Sequence, residues 1–372
     1  MSDHKKQEGG LVTSDETRRL MREYKGKNRR KILYALILIL VIAAICVFSL
    51  TISRLEVSFT DALGIIWNNI TGDVPSREED YLAWWTNEVI IQDNASRTVI
   101  GITVGVILAI SGAVMQSITR NPLTDPYTIG LSSAALFGVT ISIIFGVCLI
   151  PGLPDDASQI VNAFVFALIP SLAIVFISTF KKTTPTMMIL IGIAMMYVFS
   201  ALTTFLKFNA SEEDLEEIYE WSLGTLNVAG WEAVPVLVGA TLFLIVIMMF
   251  LAGRINVISS GDNQSISLGE NPIRVRLACF VVISMATAVA VCYTGTIGFV
   301  GLVAPHIARL FVGSNNKMLI PVSGIIGAAL VVGSDCLVRM LPVVLPVGVL
   351  TALIGSPLFL YFLFAQRRKN VW

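Results

Sequence analysis

The sequence predicts an all-α membrane protein of about ten transmembrane helices, and three observations predict it. Of 372 residues, 55% are hydrophobic and only 14% are charged, whereas an average soluble domain is roughly 25% charged. A soluble chain of this length would need two or three domains with charged surfaces, and the charge to cover them is missing. The same composition excludes intrinsic disorder. Lys plus Arg and Asp plus Glu number 26 each, so no net positive field points to nucleic acid as a partner. The second observation is a series of apolar runs near the length of about 20 residues that spans a bilayer. The third is the separation of charge between the two sides that those runs define.

The elements follow in order. Residues 1–31 form a polar, basic tail. The first apolar run, 32–52, is too long for a signal-peptide core of about 7–15 residues, and no A-x-A cleavage site follows it, so it reads as a retained helix. Residues 53–95 form an external insertion rich in acids, with Trp84 and Trp85. It either touches an external partner or lies on the membrane, and the sequence leaves both open. Runs at 98–119, 127–154, 157–180, 183–206 and 233–253 give five more spans. The long run from Leu277 is cut by Tyr293-Thr294-Gly295 into spans at 277–293 and 298–312. Spans at 318–334 and 347–365 complete a membrane domain over 32–366, and 367–372 form a short tail.

Ten spans put both termini on one side. Placing that side in the cytoplasm obeys the excess of Lys and Arg in cytoplasmic loops. Only Arg54, Arg77, Arg97, Lys207 and Arg339 of the 26 basic residues then lie outside, while 18 of the 26 acids do. The expected location is therefore the cell (plasma or inner) membrane, multi-pass, with lipid as a neighbour.

No catalytic set appears. His4 and His306 have no ligand partners at metal spacing, the five cysteines read as packing residues, and no metal site is expected. No Walker A motif, HExxH or GxSxG occurs. The span interiors are nearly free of charge, which weakens both an intramembrane enzyme and an ion-coupled secondary transporter, because each needs ionisable groups in the membrane. A transport subunit whose energy comes from another protein fits best, with the secondary transporter as the alternative from a different class.

Four segments are polar or rich in Gly and Pro. In Ser111–Pro126, which contains Gly112, Gln116, Asn121 and Pro122, the prolines stop helices beside Arg120. Ser259–Pro272 is the longest polar loop between spans on its side. Asp262 can cap a short helix starting near Asn263, and Gly269 can end it. In Gly295–Leu310, the residues Gly298, Gly301, Ala304 and Ala308 make a face of small residues. Pro305 lies within that run, and His306 and Arg309 suit structural polar contacts. In Leu345–Phe359, Gly348, Ala352 and Ser356 repeat at i+4, ahead of Pro357. With Gly101 and Gly105, these stripes suit close helix packing and a dimer face.

The runs Arg97–Pro126, Gly295–Leu310 and Leu345–Phe359, with the loop Gly261–Pro272 in matching position, resemble the FecCD family, whose members are permease subunits of ABC importers for ferric siderophores, haem and cobalamin. The resemblance covers roughly Arg97–Ala365 and implies the BtuC-like permease fold with ten spans. It implies that two permeases, identical copies or homologues, pair around a translocation path. It implies a cytoplasmic ABC ATPase dimer that binds ATP and Mg, leaving no cofactor in this chain, and an extracytoplasmic substrate-binding protein. By position it assigns Gly261, Asp262, Ser267, Leu268, Gly269, Glu270, Asn271 and Pro272, within about 255–273, to ATPase coupling. It assigns Arg97, Arg339 and, less directly, Arg54 to docking of the binding protein. Where the family often has another arginine, Asn94 stands here. The expected cargo is a ferric siderophore or other iron chelate, with haem or cobalamin as the alternative.

Overall fold

The computed structural model describes residues 14–52, 57–181, 183–227, 230–343 and 345–367. Arg54, residues 1–13 of the basic tail and residues 368–372 of the C-terminal tail lie outside the described residues.

Every regular element described is helical. In order they are α1 (Ser14–Thr51), α2 (Phe59–Thr71), α3 (Tyr81–Glu88), a π-helical stretch Val89–Ala95 that runs into α4 (Ser96–Thr119), and a 3₁₀ turn Pro126–Ile129. Next come α5 (Leu131–Phe145), α6 (Asp155–Phe180), α7 (Pro185–Lys207), α8 (Glu212–Leu223) and α9 (Gly230–Ser259). The chain closes with α10 (Asp262–Ser267), α11 (Pro272–Thr294), α12 (Val300–Val312), α13 (Asn316–Met340) and α14 (Val347–Arg367). Among the described residues, seven helices are long and apolar enough to cross a membrane, and α5, α12 and α14 are shorter apolar helices. One of these ten lies in each of the ten predicted runs. The added helices α2, α3, α8 and α10 are short and lie toward the ends of the bundle.

Helix α4 is the central rod. Nearly all its side chains from Ser96 to Thr119 are buried, and it packs against α13, α9, α12 and α11. Small residues permit that contact. A Cβ on Gly105 would stand 2.5 Å from the Gly327 carbonyl oxygen of α13, and one on Gly112 only 1.9 Å from the Gly301 carbonyl oxygen of α12. Lipid tails are as apolar as leucine, so helices in a bilayer hold together by such close backbone approach and by interhelical hydrogen bonds. At the periphery α1, α7 and α9 expose Leu40, Phe205 and Phe250.

Helix starts follow local chemistry. Thr184, Asn271 and Asn315 accept backbone N–H groups at the first turns of α7, α11 and α13, satisfying donors that have no partner within the helix. Ser211 and Asp214 form a reciprocal capping box at α8.

Several expectations are corrected. Within the basic tail, the backbone from Ser14 is helical and continuous with the first span. The run 127–154 holds a helix of only 15 residues, because Gly146 takes a left-handed conformation and ends it. The small-residue stripes serve packing within the chain. Gly348 meets the Leu223 and Thr296 carbonyls, and Gly101 lies against Leu226 and Val332. Gly298 is the exception: nothing approaches within 4 Å of a Cβ there.

Candidate functional site

At one end of the bundle, α10 sits between α9 and α11. Its expected cap is different. Gly261, at φ 127°, precedes the helix, and the Asp262 side chain makes no capping bond. The carboxylate instead accepts from Arg276 Nη1 at 3.0 Å, from Arg276 Nη2 and from Arg120 Nη2 at 2.9 Å. Arg276 is fully buried at 0% exposure, and its Nε donates to the Ile118 carbonyl at 2.9 Å. A buried guanidinium needs a counter-charge, and Asp262 supplies it, tying α10 to the ends of α4 and α11. Arg120 ends α4 in a left-handed conformation at φ 54°. The Arg276 hydrogen bond, then the charges of Arg276 and Arg120, hold the Asp262 carboxyl below the usual carboxylate range.

The other predicted residues of this loop fall around α10. Ser267 Oγ donates to the Asn263 carbonyl, Gly269, at φ 81°, follows the helix, Glu270 pairs with Arg254 at 3.5 Å, and Asn271 caps α11 ahead of Pro272. Leu268 is 69% exposed and Ile266 is also exposed. Beside α10, a cleft of about 550 Å³ opens between Arg120, the Thr184–Thr186 start of α7, and Ser260–Gln264.

Deeper in the bundle a second polar set joins α4 to α12. Gln116 Nε2 donates to the Gly301 carbonyl at 3.3 Å, and Arg309 Nη1 donates to Gln116 Oε1 at 2.6 Å. His306 Nδ1 lies 2.7 Å from the Leu302 carbonyl oxygen, and its ring meets Phe359 edge-on. Pro305 is buried within α12, and Pro357 lies inside α14 with its ring exposed. Asn121 Oδ1 accepts from the Leu123 N–H, closing the turn around Pro122. Gln116 and Arg309 fasten α4 to α12.

At the opposite end, Arg97 and Arg339 converge on Asp335, which is 1% exposed. Arg97 Nε donates to Asp335 Oδ1 at 2.7 Å. Arg339, one turn below on α13, brings Nε to 3.0 Å from Oδ2 as an ion pair. Arg339 also donates to Asn94 Oδ1 at 2.9 Å, to the Ile52 carbonyl and to Ser49 Oγ. Asn94 Nδ2 returns to the Leu50 carbonyl at 3.0 Å, and Ser49 and Thr98 hydroxyls lie 2.8 Å apart. The arginines predicted to face an external protein are therefore first engaged inside, clamping α1, α4 and α13. Two guanidiniums against one carboxylate leave the cluster with one excess positive charge.

Reading the sequence missed Asp335, because the apolar run was closed at Ser334, one residue early. An acid inside a span signals a partnered, functional position, and its i+4 spacing to Arg339 was visible. Arg276 was counted only as a topogenic charge, and nothing in its neighbourhood in sequence marks it as buried.

The FecCD transport family model matches residues 35–365. The chain belongs to the FecCD transport family. Among its relatives is the Fe(3+)-citrate import system permease protein YfmE of Bacillus subtilis, 34% identical over 94% of this chain and 100% of that protein. Another is the cobalamin import system permease protein BtuC of Halobacterium salinarum, 37% identical over 72% of this chain and 71% of that protein. A solved structure of an inward-facing metal-chelate type ABC transporter is similar at TM-score 0.76 and 30% identity, covering 89% of this chain and 99% of that one. As a family member the chain is a multi-pass membrane permease of the ABC importer type, all-helical among the described residues, with α10 between its sixth and seventh apolar spans.

Proposed function

We propose that this permease pairs with a second permease, identical or homologous, and imports an iron chelate, most simply a ferric siderophore, using ATP hydrolysed by a separate cytoplasmic ABC ATPase dimer. An extracytoplasmic binding protein delivers the cargo. Both termini and α10 face the cytoplasm of a cell (plasma or inner) membrane, and α2, α3 and α8 face outward. Haem or cobalamin is the second reading of the cargo, favoured by the cobalamin relative.

The observation that carries the proposal is α10. It is a short helix anchored through Asp262 to buried Arg276, and it presents Ile266 and Leu268 to solvent beside a cleft. A soluble partner that inserts there pushes on a segment bonded to the central rod, so a displacement reaches α4 without passing through a flexible loop. Gly261, Ser267, Gly269, Glu270, Asn271 and Pro272 shape this contact. At the other end, Arg97, Arg339 and Arg54 serve the binding protein. Support comes from the one-charge excess of the Asp335 cluster on an otherwise acidic face, where α8 alone carries Glu212, Glu213, Asp214, Glu216, Glu217 and Glu220.

The test is uptake in liposomes holding the permease, the cognate ATPase and the binding protein. Ferric siderophore, haem and cobalamin are compared with and without ATP. ATP-dependent uptake of the siderophore alone is expected; uptake driven by an ion gradient without the ATPase would return the chain to the secondary transporters. Leu268→Glu is expected to abolish copurification of the ATPase while leaving the fold intact.

A further inference from the structure

Helix α2 has three faces. At about 100° per residue, Ala62, Ile65, Ile66 and Asn69 share one arc, and all are buried or half-buried. Asn69 Nδ2 donates to Asn87 Oδ1 of α3, which fixes that arc toward the protein. A second arc carries Asp61, Gly64, Asn68 and Thr71, all exposed and without a large apolar side chain. The third arc, about 80° wide, holds Phe59, Leu63, Trp67 and Ile70. These four are exposed although apolar, Trp67 at 65% and Ile70 at 73%. Three arcs meeting protein, water and something apolar describe a helix lying along a boundary.

We infer that α2 is an interfacial helix, its third arc sunk into the lipid leaflet at the end of the bundle opposite α10. Continuity identifies the occupant. Helix α2 packs against α1, whose apolar window is only 6% buried by protein, so the neighbouring span offers an apolar surface open to acyl chains. The arc carries no charge, and a tryptophan at its edge, beside the polar arc, suits the headgroup boundary, where an aromatic belt forms. Leu82 and Trp85 of α3 are exposed as well. A water-soluble protein that docks and leaves would return four large apolar side chains to water in every cycle, and exposed patches of that kind mark permanent contacts or lipid.

The full-length protein is reconstituted in phosphatidylcholine vesicles with or without bromine on the acyl chains. Tryptophan emission is compared between wild type and Trp67→Phe, and the difference is the Trp67 signal. Bromolipid is expected to reduce that difference about twofold or more, with aqueous iodide having little effect. A Trp67 signal quenched by iodide and insensitive to bromolipid would overturn the inference. So would shielding from iodide that appears only when the binding protein is added. Trp231, whose Nε1 donates to the Ile91 carbonyl, provides a second variant, Trp231→Phe, that reads a tryptophan off this arc.

Discussion

Glycine at position 112 and glycine at position 298 look alike in sequence, and the structure separates them. Gly112→Ala drives a methyl group into the Gly301 carbonyl, whereas Gly298→Ala meets open space. The first is expected to cost about 1–3 kcal/mol, as overpacking does, and the second close to nothing; thermal unfolding in detergent distinguishes them. Asp335 is the next case. Asp335→Asn leaves Arg97 and Arg339 facing each other without a counter-charge, so it is expected to destabilise more than Arg97→Gln. The double variant should recover part of the loss, because the two residues are coupled. Additive losses in the double-mutant cycle would contradict the clamp. Any charge reversal at Arg97 or Arg339 made to test docking needs the same unfolding measurement, since it strikes Asp335 first. Asp262 brings a pH dependence. Its folded-state pKa is depressed, so its stabilisation is fully present above the unfolded value of about 3.9 and is lost as pH falls through the folded value. Protease sensitivity of the α9–α11 loop should rise below about pH 4 in the wild type, and Asp262→Asn should show it already at neutral pH.

At the scale of elements, the π-helical stretch Val89–Ala95 explains how one continuous helical segment serves two purposes. A π-helix accommodates an extra residue relative to an α-helical register, and here it turns Asn94 toward Leu50, Ile52 and Arg339 while α3 reaches Asn69 of α2. Deleting Gln92, which is exposed, would rotate everything before it by about 100° relative to α4. The expected result is loss of the Asn69–Asn87 bond between α2 and α3, a destabilisation of about 1–3 kcal/mol seen in thermal unfolding, and unchanged binding of the ATPase at the other end. The short helix α12 (Val300–Val312) was legible from its bounds in the sequence, with Gly295 and Gly313 enclosing it at positive φ. Helix α5 was overextended because apolar composition continues past Gly146, and only the left-handed glycine marks the stop.

For the whole molecule, α4 carries an ion-paired arginine next to each end, Arg97 bound to Asp335 and Arg120 bound to Asp262. A push on α10 therefore meets a rod whose far end belongs to the Asp335 cluster. Asp262→Ala is expected to lower ATP-driven uptake while basal ATPase activity of the assembled complex persists; equal transport in both proteins would remove the link from the mechanism.

Composition and local pattern were enough for the class, the ten apolar runs and the family, because transfer of side chains into hydrocarbon and helix punctuation are local properties summed along the chain. It also marked α10 as the polar segment of interest. Tertiary structure decided the pairings. Arg97 and Asp335 are 238 residues apart, Arg120 and Asp262 are 142 apart, and no local periodicity states that such groups meet. Whether a glycine faces a carbonyl or open space, and whether an arginine is spent inside or offered outside, depends on which helices touch. That contact is set by packing across the bundle, where composition carries no information.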